Sequence, residues 1–249
     1  VIGLMNTQLA YQDGEIYVIE VNPRASRTVP FVSKATGAPI ANIAARVMAG
    51  VSLEEQNFTA EIIPKHFSVK ESVFPFNKFL GVDPFLGPEM RSTGEVMGVG
   101  PDFPSAFDKA LLAAGDIIPT SGKVLVSLRT LDRGRLVELG QRLTSHGFEI
   151  VATRTNQEIL KQAGLECTMV NKVSEGSPHI VDAIKNDEIS LIINSTDDSQ
   201  GLEDASVIRC QALIHKIPCT TTVAAAFAML DGLMSPNKLE VRSLQSIHK

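Results

Sequence analysis

A short segment early in the chain carries oxygen ligands and fixed positive charges at close spacing. Residues 15–24 read Glu-Ile-Tyr-Val-Ile-Glu-Val-Asn-Pro-Arg. Side chains alternate faces along a strand, so Glu20 and Asn22 lie on one face, whereas Ile19 and Val21 point into the opposite layer. A carboxylate and an amide oxygen at this spacing suit Mg²⁺ when substrate phosphates and water complete its shell. The pattern predicts a divalent metal site, with an ordinary edge hairpin as the alternative.

Three further residues extend this predicted site. Gln8 lies in the preceding strand, where it could face Glu20 and add a third oxygen. Arg24 and Arg27 follow the second strand, and guanidinium groups suit bidentate contacts with phosphate. Phosphoryl transfer is helped mainly by positioning and by cations placed on the developing charge. We therefore expect this segment to hold a phosphate-bearing ligand beside the metal.

A second group of polar residues recurs where predicted strands end. Hydroxyl and amide groups near helix N-termini, together with a lysine, form a cradle for an anion such as a phosphate monoester. The chain has no GxxxxGK[ST] sequence, and no GxGxxG follows the first strand of this part, so nucleotide hydrolysis is not predicted here. Helix capping is the alternative role for each residue taken singly. The residues are Ser127, Thr153, Asn156, Lys172, Asn194, Ser195, Thr196, Thr221 and Thr222.

The elements that position these residues fall into two parts that meet near residue 120. The prolines are concentrated in the first part, and 117–122 is rich in turn formers. In the first part we predict a hairpin of 3–11 and 15–21, joined by Gln-Asp-Gly. We also predict helices at 32–36, 40–48 and 105–114, an extended stretch at 62–75, a loop at 81–88 and a strand at 95–99.

The second part reads as five repeats of strand and helix. Such alternation predicts a parallel sheet covered on both faces, with ligands at the carboxyl ends of its strands. The predicted strands are 124–128, 149–152, 167–170, 190–194 and 218–221. The predicted helices are 133–145, 156–163, 178–185, 205–215 and 223–233.

Composition excludes several classes of protein. The 249 residues are 44% hydrophobic with a formal net charge of −5, so neither a disordered chain nor a nucleic-acid-binding protein is expected. Three cysteines without CxxC spacing favour a reducing compartment, which we take to be the cytoplasm. No apolar run is long enough for a membrane span. Because the chain begins within a predicted strand and without Met, we expect it to be cut from a longer one.

The segment that carries Glu20 and Asn22 resembles the closing strand of ATP-grasp enzymes. More closely, it is similar to the second synthetase half of the large chain of carbamoyl-phosphate synthase, and the similarity continues through 32–37, 44–50, 68–71 and 86–98. The resemblance implies an ATP-dependent ligase that phosphorylates carbamate to carbamoyl phosphate. It implies that Gln8 and Glu20 contact ATP and Mg²⁺ or Mn²⁺, that Asn22 is a further metal ligand, and that the catalytic residues Arg24 and Arg27 neutralise phosphates.

The second part resembles the methylglyoxal-synthase-like domain that ends the same large chain. In that family the domain binds UMP as inhibitor and IMP as activator, through residues matching Ser127, Thr153, Lys172, Asn194 and Thr196. Asn156 and Arg133 depart from the common threonine and lysine, and Thr220 from a common aspartate, so UMP is the firmer expectation. The resemblance also makes Glu71 a candidate ligand for the amine activator ornithine.

Together these patterns predict an α/β protein whose doubly wound parallel sheet follows an incomplete α+β ATP-grasp portion, with domains at 1–120 and 121–249. We expect a glutaminase small subunit as partner and an oligomeric assembly. The chain by itself is not expected to make carbamoyl phosphate. A stand-alone regulatory module that binds nucleoside monophosphates is the alternative. A methylglyoxal synthase is disfavoured, because the loop at 172–179 offers Glu175 but no catalytic aspartate.

Overall fold

The computed structural model describes residues 1–73, 94–195, 202–234 and 240–248, so the predicted loop at 81–88 lies outside the described residues. Packing divides the chain into two compact units. The first comprises Val1–Ser68 and Leu239–Lys249, and the second comprises Val69–Lys238. The boundary between these units lies between Ser68 and Val69, earlier in the chain than the predicted domain border near residue 120. That domain border stays a prediction.

The first unit begins with an antiparallel hairpin of β1, Asn6–Gln12, and β2, Glu15–Asn22. Asp13 and Gly14 form its turn with φ of 53° and 90°. Both lie in the left-handed region that the tight hairpin turn demands, which is why Asp-Gly is favoured there. The predicted hairpin is confirmed.

Both faces of this hairpin are open among the described residues. Ile19 and Val21 are 64% and 49% exposed, so the expectation that they pack into an opposite layer is wrong for the described chain. Leu9 and Val18 are also exposed. The physical reason is that a two-stranded ribbon cannot bury its own faces and needs another layer to cover it.

Two helices follow the hairpin, and a third lies in the chain's final segment. They are α1, Thr28–Thr36, α2, Ile40–Met48, and α9, Leu244–Ile247. Gly37 ends α1 with φ of 76°, and a side chain there would collide with the His248 ring. The predicted helix at 40–48 is confirmed, whereas the one at 32–36 begins earlier, at Thr28.

The second unit begins with a two-stranded sheet against which one helix packs. The strands are β3, Phe67–Val73, and β4, Gly94–Gly100, and the helix is α3, Phe103–Ala114. An added Cβ at Gly98 would collide with the Ala106 carbonyl, so glycine is what allows β4 and α3 to approach closely.

A five-stranded parallel sheet forms the rest of the second unit. Its strand order is β7-β6-β5-β8-β9. The chain therefore builds the sheet outward from β5 on one side and then returns to build the other side. The strands are β5, Gly122–Ser127, β6, Phe148–Thr153, β7, Thr168–Val170, β8, Leu191–Asn194, and β9, Cys219–Thr220.

Helices cover both faces of this sheet, as the predicted doubly wound fold requires. One face packs against α4, α5 and α8, and the other against α6 and α7. Neighbouring residues of β5 alternate accordingly, because Val124 and Val126 enter the first core and Leu125 the second. No helix in the described ranges is long and apolar enough to cross a membrane. The helices are α4, Leu136–Ser145, α5, Arg154–Gln162, α6, Ile180–Lys185, α7, Leu202–Ile214, and α8, Val223–Leu233.

Candidate functional site

A cavity opens at the carboxyl ends of β5 and β8, where the direction of strand succession reverses. Ser127 and Asn194 are paired in register as the last residues of these two strands. Connections leave β5 and β8 toward opposite sides of the sheet, so their carboxyl ends are not covered by one continuous crossover. Ligands of open α/β sheets bind at such a reversal.

The cavity has a volume of about 430 Å³ and gathers most of the strand-end residues singled out in the sequence. Thr196 lies outside the described residues. Thr221 does not line this cavity, because it follows β9, the edge strand beyond β8. The predicted residues that the structure brings together are Ser127, Thr153, Asn156, Lys172, Asn194 and Ser195.

Two buried amides lie in the cavity wall with one polar atom each left over. Asn156 is 1% exposed and its Nδ2 donates to Thr153 Oγ1 at 2.9 Å and to the Leu128 carbonyl at 3.3 Å. Asn194 is 2% exposed. Among the described residues, Asn156 Oδ1 and Asn194 Nδ2 have no hydrogen-bond partner. Buried polar atoms are nearly always paired, so these two indicate a ligand or water at this wall.

Positive charge enters the cavity from the segment after β5. A short 3₁₀ helix, Thr130–Arg135, carries Arg133, whose Nε donates to the Leu128 carbonyl at 3.3 Å. Arg129 is already paired, since its Nε contacts Asp132 Oδ2 at 2.8 Å. Within the described ranges no carboxylate lies at ion-pair distance from Arg133 or Lys172, although both line the cavity.

Lys172 reaches the cavity from the loop that follows β7. Its backbone N–H donates to Glu175 Oε2 at 2.8 Å, which caps the 3₁₀ turn Val173–Glu175. The Asn171 amide donates to the Pro178 carbonyl at 3.1 Å and closes the same loop. The loop is therefore fixed by its own polar contacts, and the Lys172 side chain remains exposed at the cavity rim.

A second cavity of about 320 Å³ gathers the two remaining effector candidates, Glu71 and Thr221. Asp116, Arg209 and Cys219 also line it. Burial is the main cause that raises the pKa of Glu71, a backbone hydrogen bond from Ser72 opposes the rise, and the Asp116 carboxylate adds to it. A cationic amine bound beside Glu71 would stabilise its ionised form against both the burial and the repulsion from Asp116.

The predicted metal ligands lie together on the hairpin. Gln8 and Glu20 face each other across β1 and β2, and Asn22 Nδ2 donates to Glu20 Oε1 at 2.9 Å. The three side chains thus share one patch of the ribbon, and the donor set of one carboxylate and two amides fits a hard cation that also binds phosphate. Arg24 follows in the next turn, where its guanidinium donates to the Ala25 carbonyl at 3.4 Å.

Arg27 is the last residue before α1 and therefore its N-cap, although its backbone is already helical. It stands at the positive end of α1 but gives no side-chain cap to the helix. Arg24 and Arg27 therefore bracket a short turn directly after the metal patch.

Three residues in or next to the cavity of β5 and β8 were not predicted from the sequence. Arg129 and Asp204 line it, and Asp132 pairs with Arg129. A serine hydroxyl, that of Ser195, and then Arg129 hold the pKa of Asp132 below its usual range, although partial burial opposes them. An Arg-x-x-Asp sequence directly after a strand end was the available signal, but i, i+3 ion pairs are common and carry no specificity.

Comparison with known proteins matches two stretches of the chain to family models. Residues 135–221 match the MGS-like domain. Residues 1–56 match the ATP-binding domain of the carbamoyl-phosphate synthase L chain.

Three relatives illustrate the similarity, and each carries the name carbamoyl phosphate synthase large chain. The protein of Pseudomonas putida is 56% identical over 248 residues, that of Vibrio parahaemolyticus 56% over 246, and that of Halomonas eurihalina 54% over 249. These alignments cover 100%, 99% and 99% of this chain. The chain spans 23% of the length of each relative.

Two cysteine thiols of the second unit should resist alkylation. Burial raises the pKa of Cys219 to about 12 and the pKa of Cys167 to about 11, in spite of nearby Arg209 and Lys161 respectively. Less than about one in a thousand of either thiol is then ionised at pH 8, so iodoacetamide should label both at least about a hundredfold more slowly than in the urea-unfolded chain. Peptide mass spectrometry after a timed quench measures this. Equal rates in the native and unfolded chains would show that neither thiol is protected.

Proposed function

Since this chain belongs to the carbamoyl phosphate synthase large-chain family, we propose that it contributes to an ATP-dependent ligase which phosphorylates carbamate to carbamoyl phosphate. In this proposal residues 1–120 supply the metal-binding end of one ATP site. Residues 121–249 form a regulatory domain that binds a nucleoside monophosphate such as UMP or IMP. Carbamoyl phosphate would serve the synthesis of pyrimidines and arginine.

The observation that carries the regulatory part is the set of unmatched donors at the cavity of β5 and β8. A phosphate accepts hydrogen bonds and carries negative charge. Asn194 Nδ2 is a buried donor without a partner among the described residues, and Arg133 and Lys172 supply charge without a described counter-ion. A phosphate monoester satisfies all three at once.

The same cavity also offers groups that suit a ribose and a base. Asp204 lines it, and a carboxylate accepts hydrogen bonds from ribose hydroxyls but repels phosphate. Apolar Val173, Ile180 and Ile208 line it as well and could contact a base. This combination of a carboxylate and apolar side chains with the two cations supports a nucleotide rather than a free anion.

The catalytic part of the proposal rests on the hairpin. Glu20, Asn22 and Gln8 would bind Mg²⁺ or Mn²⁺ with ATP phosphates completing the metal's shell, and Glu20 and Gln8 would also contact ATP. Arg24 and Arg27 would neutralise the phosphates beside the metal. The metal would withdraw charge from the transferred phosphoryl group, and this chain's side chains would hold it at the end of β2.

The second cavity favours an amine effector. Glu71 and Asp116 present two carboxylates, Thr221 adds a hydroxyl and Arg209 a cation. A diamino acid such as ornithine matches this set, because its amino groups pair with carboxylates and its carboxylate with a guanidinium. We therefore assign Glu71 and Thr221 to this ligand rather than to the nucleotide.

The structural role of Glu175 argues against a methylglyoxal synthase. Glu175 is the carboxylate that the loop offers as a catalytic base, but it accepts the Lys172 backbone N–H and caps a turn. A carboxylate held in a structural cap is poorly placed to abstract a proton from substrate. The relatives' name, which specifies a large chain, supports a small partner subunit, and we propose that this partner is a glutaminase. Oligomeric assembly and a cytoplasmic location complete the proposal.

Lys172→Ala should weaken UMP binding. Removing a charged donor to an anion costs about 1.5 to 3 kcal/mol, and because Lys172 is exposed we expect the lower end, about a tenfold higher Kd. Isothermal titration of the 249-residue chain with UMP measures it. Lys161→Ala, an exposed lysine that does not line the cavity, is the matched control and should leave Kd unchanged. An unchanged Kd for Lys172→Ala would place the phosphate elsewhere.

Glu20→Gln should reduce Mn²⁺ binding by the chain in the presence of ATP. The substitution keeps the shape of the side chain and removes the one formal charge of the proposed ligand set. Electron paramagnetic resonance distinguishes free from bound Mn²⁺. Glu15→Gln is the control, since Glu15 lies on the same strand opposite Gln12. If both variants bind as much Mn²⁺ as the unsubstituted chain, Glu20 is not a metal ligand.

A further inference from the structure

Ser195 follows β8 directly and lies at the wall of the nucleotide cavity, where it is 6% exposed. A serine in this place invites assignment as a phosphate ligand. Its hydrogen bonds argue against that role. Its hydroxyl oxygen accepts the backbone N–H of Arg129 at 3.2 Å, and the same hydroxyl lowers the pKa of the neighbouring Asp132 carboxyl.

The direction of these bonds is fixed by chemistry. A backbone N–H only donates, so the Ser195 oxygen is an acceptor toward Arg129, and the hydroxyl can stabilise the ionised Asp132 only by turning its single proton toward that carboxylate. No proton is then left for a phosphate oxygen. Asp132 is in turn held by Arg129, whose Nε lies 2.8 Å from Oδ2. Ser195 is therefore committed to the segment after β5.

The segment after β5 carries Arg133, the cation that would face a bound phosphate. The backbone N–H of Ser195 donates to the Ser127 carbonyl at 3.0 Å, so Ser195 joins the end of β8 to the end of β5. From this anchor its hydroxyl holds the backbone N–H of Arg129, which is the N-cap of the 3₁₀ helix that carries Asp132 and Arg133.

Among the described residues, the Arg133 side chain makes one hydrogen bond within the protein. Its Nε donates to the Leu128 carbonyl, the carbonyl that also accepts from Asn156. The remaining guanidinium N–H groups are then directed away from Leu128. The position of Arg133 consequently depends on the backbone conformation of residues 128–132. Ser195 stabilises that conformation through its hydrogen bond with the Arg129 N–H.

We propose that Ser195 is a positioning residue for nucleotide binding, which holds the segment after β5 so that Arg133 meets the phosphate, and that Asp132 keeps Arg129 out of phosphate recognition. The inference rests on the proposed binding of nucleoside monophosphates. It assigns a role to two residues that touch no phosphate, and it makes Arg133 the group through which they act.

A double-mutant cycle on the 249-residue chain tests this, with UMP as the probe. Ser195→Ala should raise the Kd for UMP about 2- to 10-fold, the equivalent of one net hydrogen bond. In an Arg133→Met background, which keeps the alkyl stem but removes the guanidinium, the same change should alter Kd by less than about twofold, because coupled residues are not additive. Ser195→Thr keeps the hydroxyl and should restore most of the affinity.

The outcomes separate the inference from the proposed function. Equal losses from Ser195→Ala in both backgrounds would overturn the inference, because Ser195 would then act directly on the ligand. An unchanged Kd in the otherwise unsubstituted chain would overturn it as well. Absence of UMP binding by the unsubstituted chain would instead contradict the proposed function and the inference with it. Matching circular dichroism spectra and thermal midpoints without UMP verify that each variant is folded.

Discussion

Parallel pairing of β5 with β8 is the constraint on which the rest of the regulatory unit depends. β5 is the central strand, with β6 on one side and β8 on the other. Because the chain leaves β5 toward one edge of the sheet and later resumes at its other side, the ends of these two strands stay open. The register sets Ser127 beside Asn194 at that opening. The segments that carry Arg133 and Lys172 to the cavity follow the carboxyl ends of β5 and β7.

The same arrangement explains why polar groups lie within an otherwise apolar unit. Leaving a buried donor or acceptor without a partner costs about 1 to 3 kcal/mol. The amides of Asn156 and Asn194 carry such a cost at the cavity wall. A bound phosphate would offset it at Asn194, so affinity would arise partly from relief of an existing penalty. Charge from Arg133 and Lys172 would add to this, whereas Arg129 is neutralised by Asp132.

Local patterns in the sequence predicted local structure well. The helices at 40–48 and 223–233 were predicted with the observed bounds, and the doubly wound fold is confirmed. Asp-Gly fixed a tight turn, and the turn sets the register as far as the pairing of Leu9 with Val18. A register shift between Leu9 and Gln8 then brings Gln8 opposite Glu20, and the turn residues do not encode that shift.

Features that depend on long-range order were not predictable in the same way. Polar residues at five strand ends looked equivalent, but Thr221 follows the edge strand β9 and lies in the cavity of Glu71. Strand order decides this, and no local pattern encodes it. The roles of Arg129 and Asp132 escaped notice for a similar reason, since their partner Ser195 is distant in sequence and comes close only through the pairing of β5 with β8.

The most direct test of the account is a crystal structure of this chain with UMP. The account predicts that a phosphate oxygen accepts a hydrogen bond from Asn194 Nδ2 at the carboxyl ends of β5 and β8, with Arg133 and Lys172 beside the phosphate and Asp204 near the ribose. A nucleotide bound in the cavity of Glu71, or one whose phosphate contacts neither Asn194 nor Arg133, would contradict it.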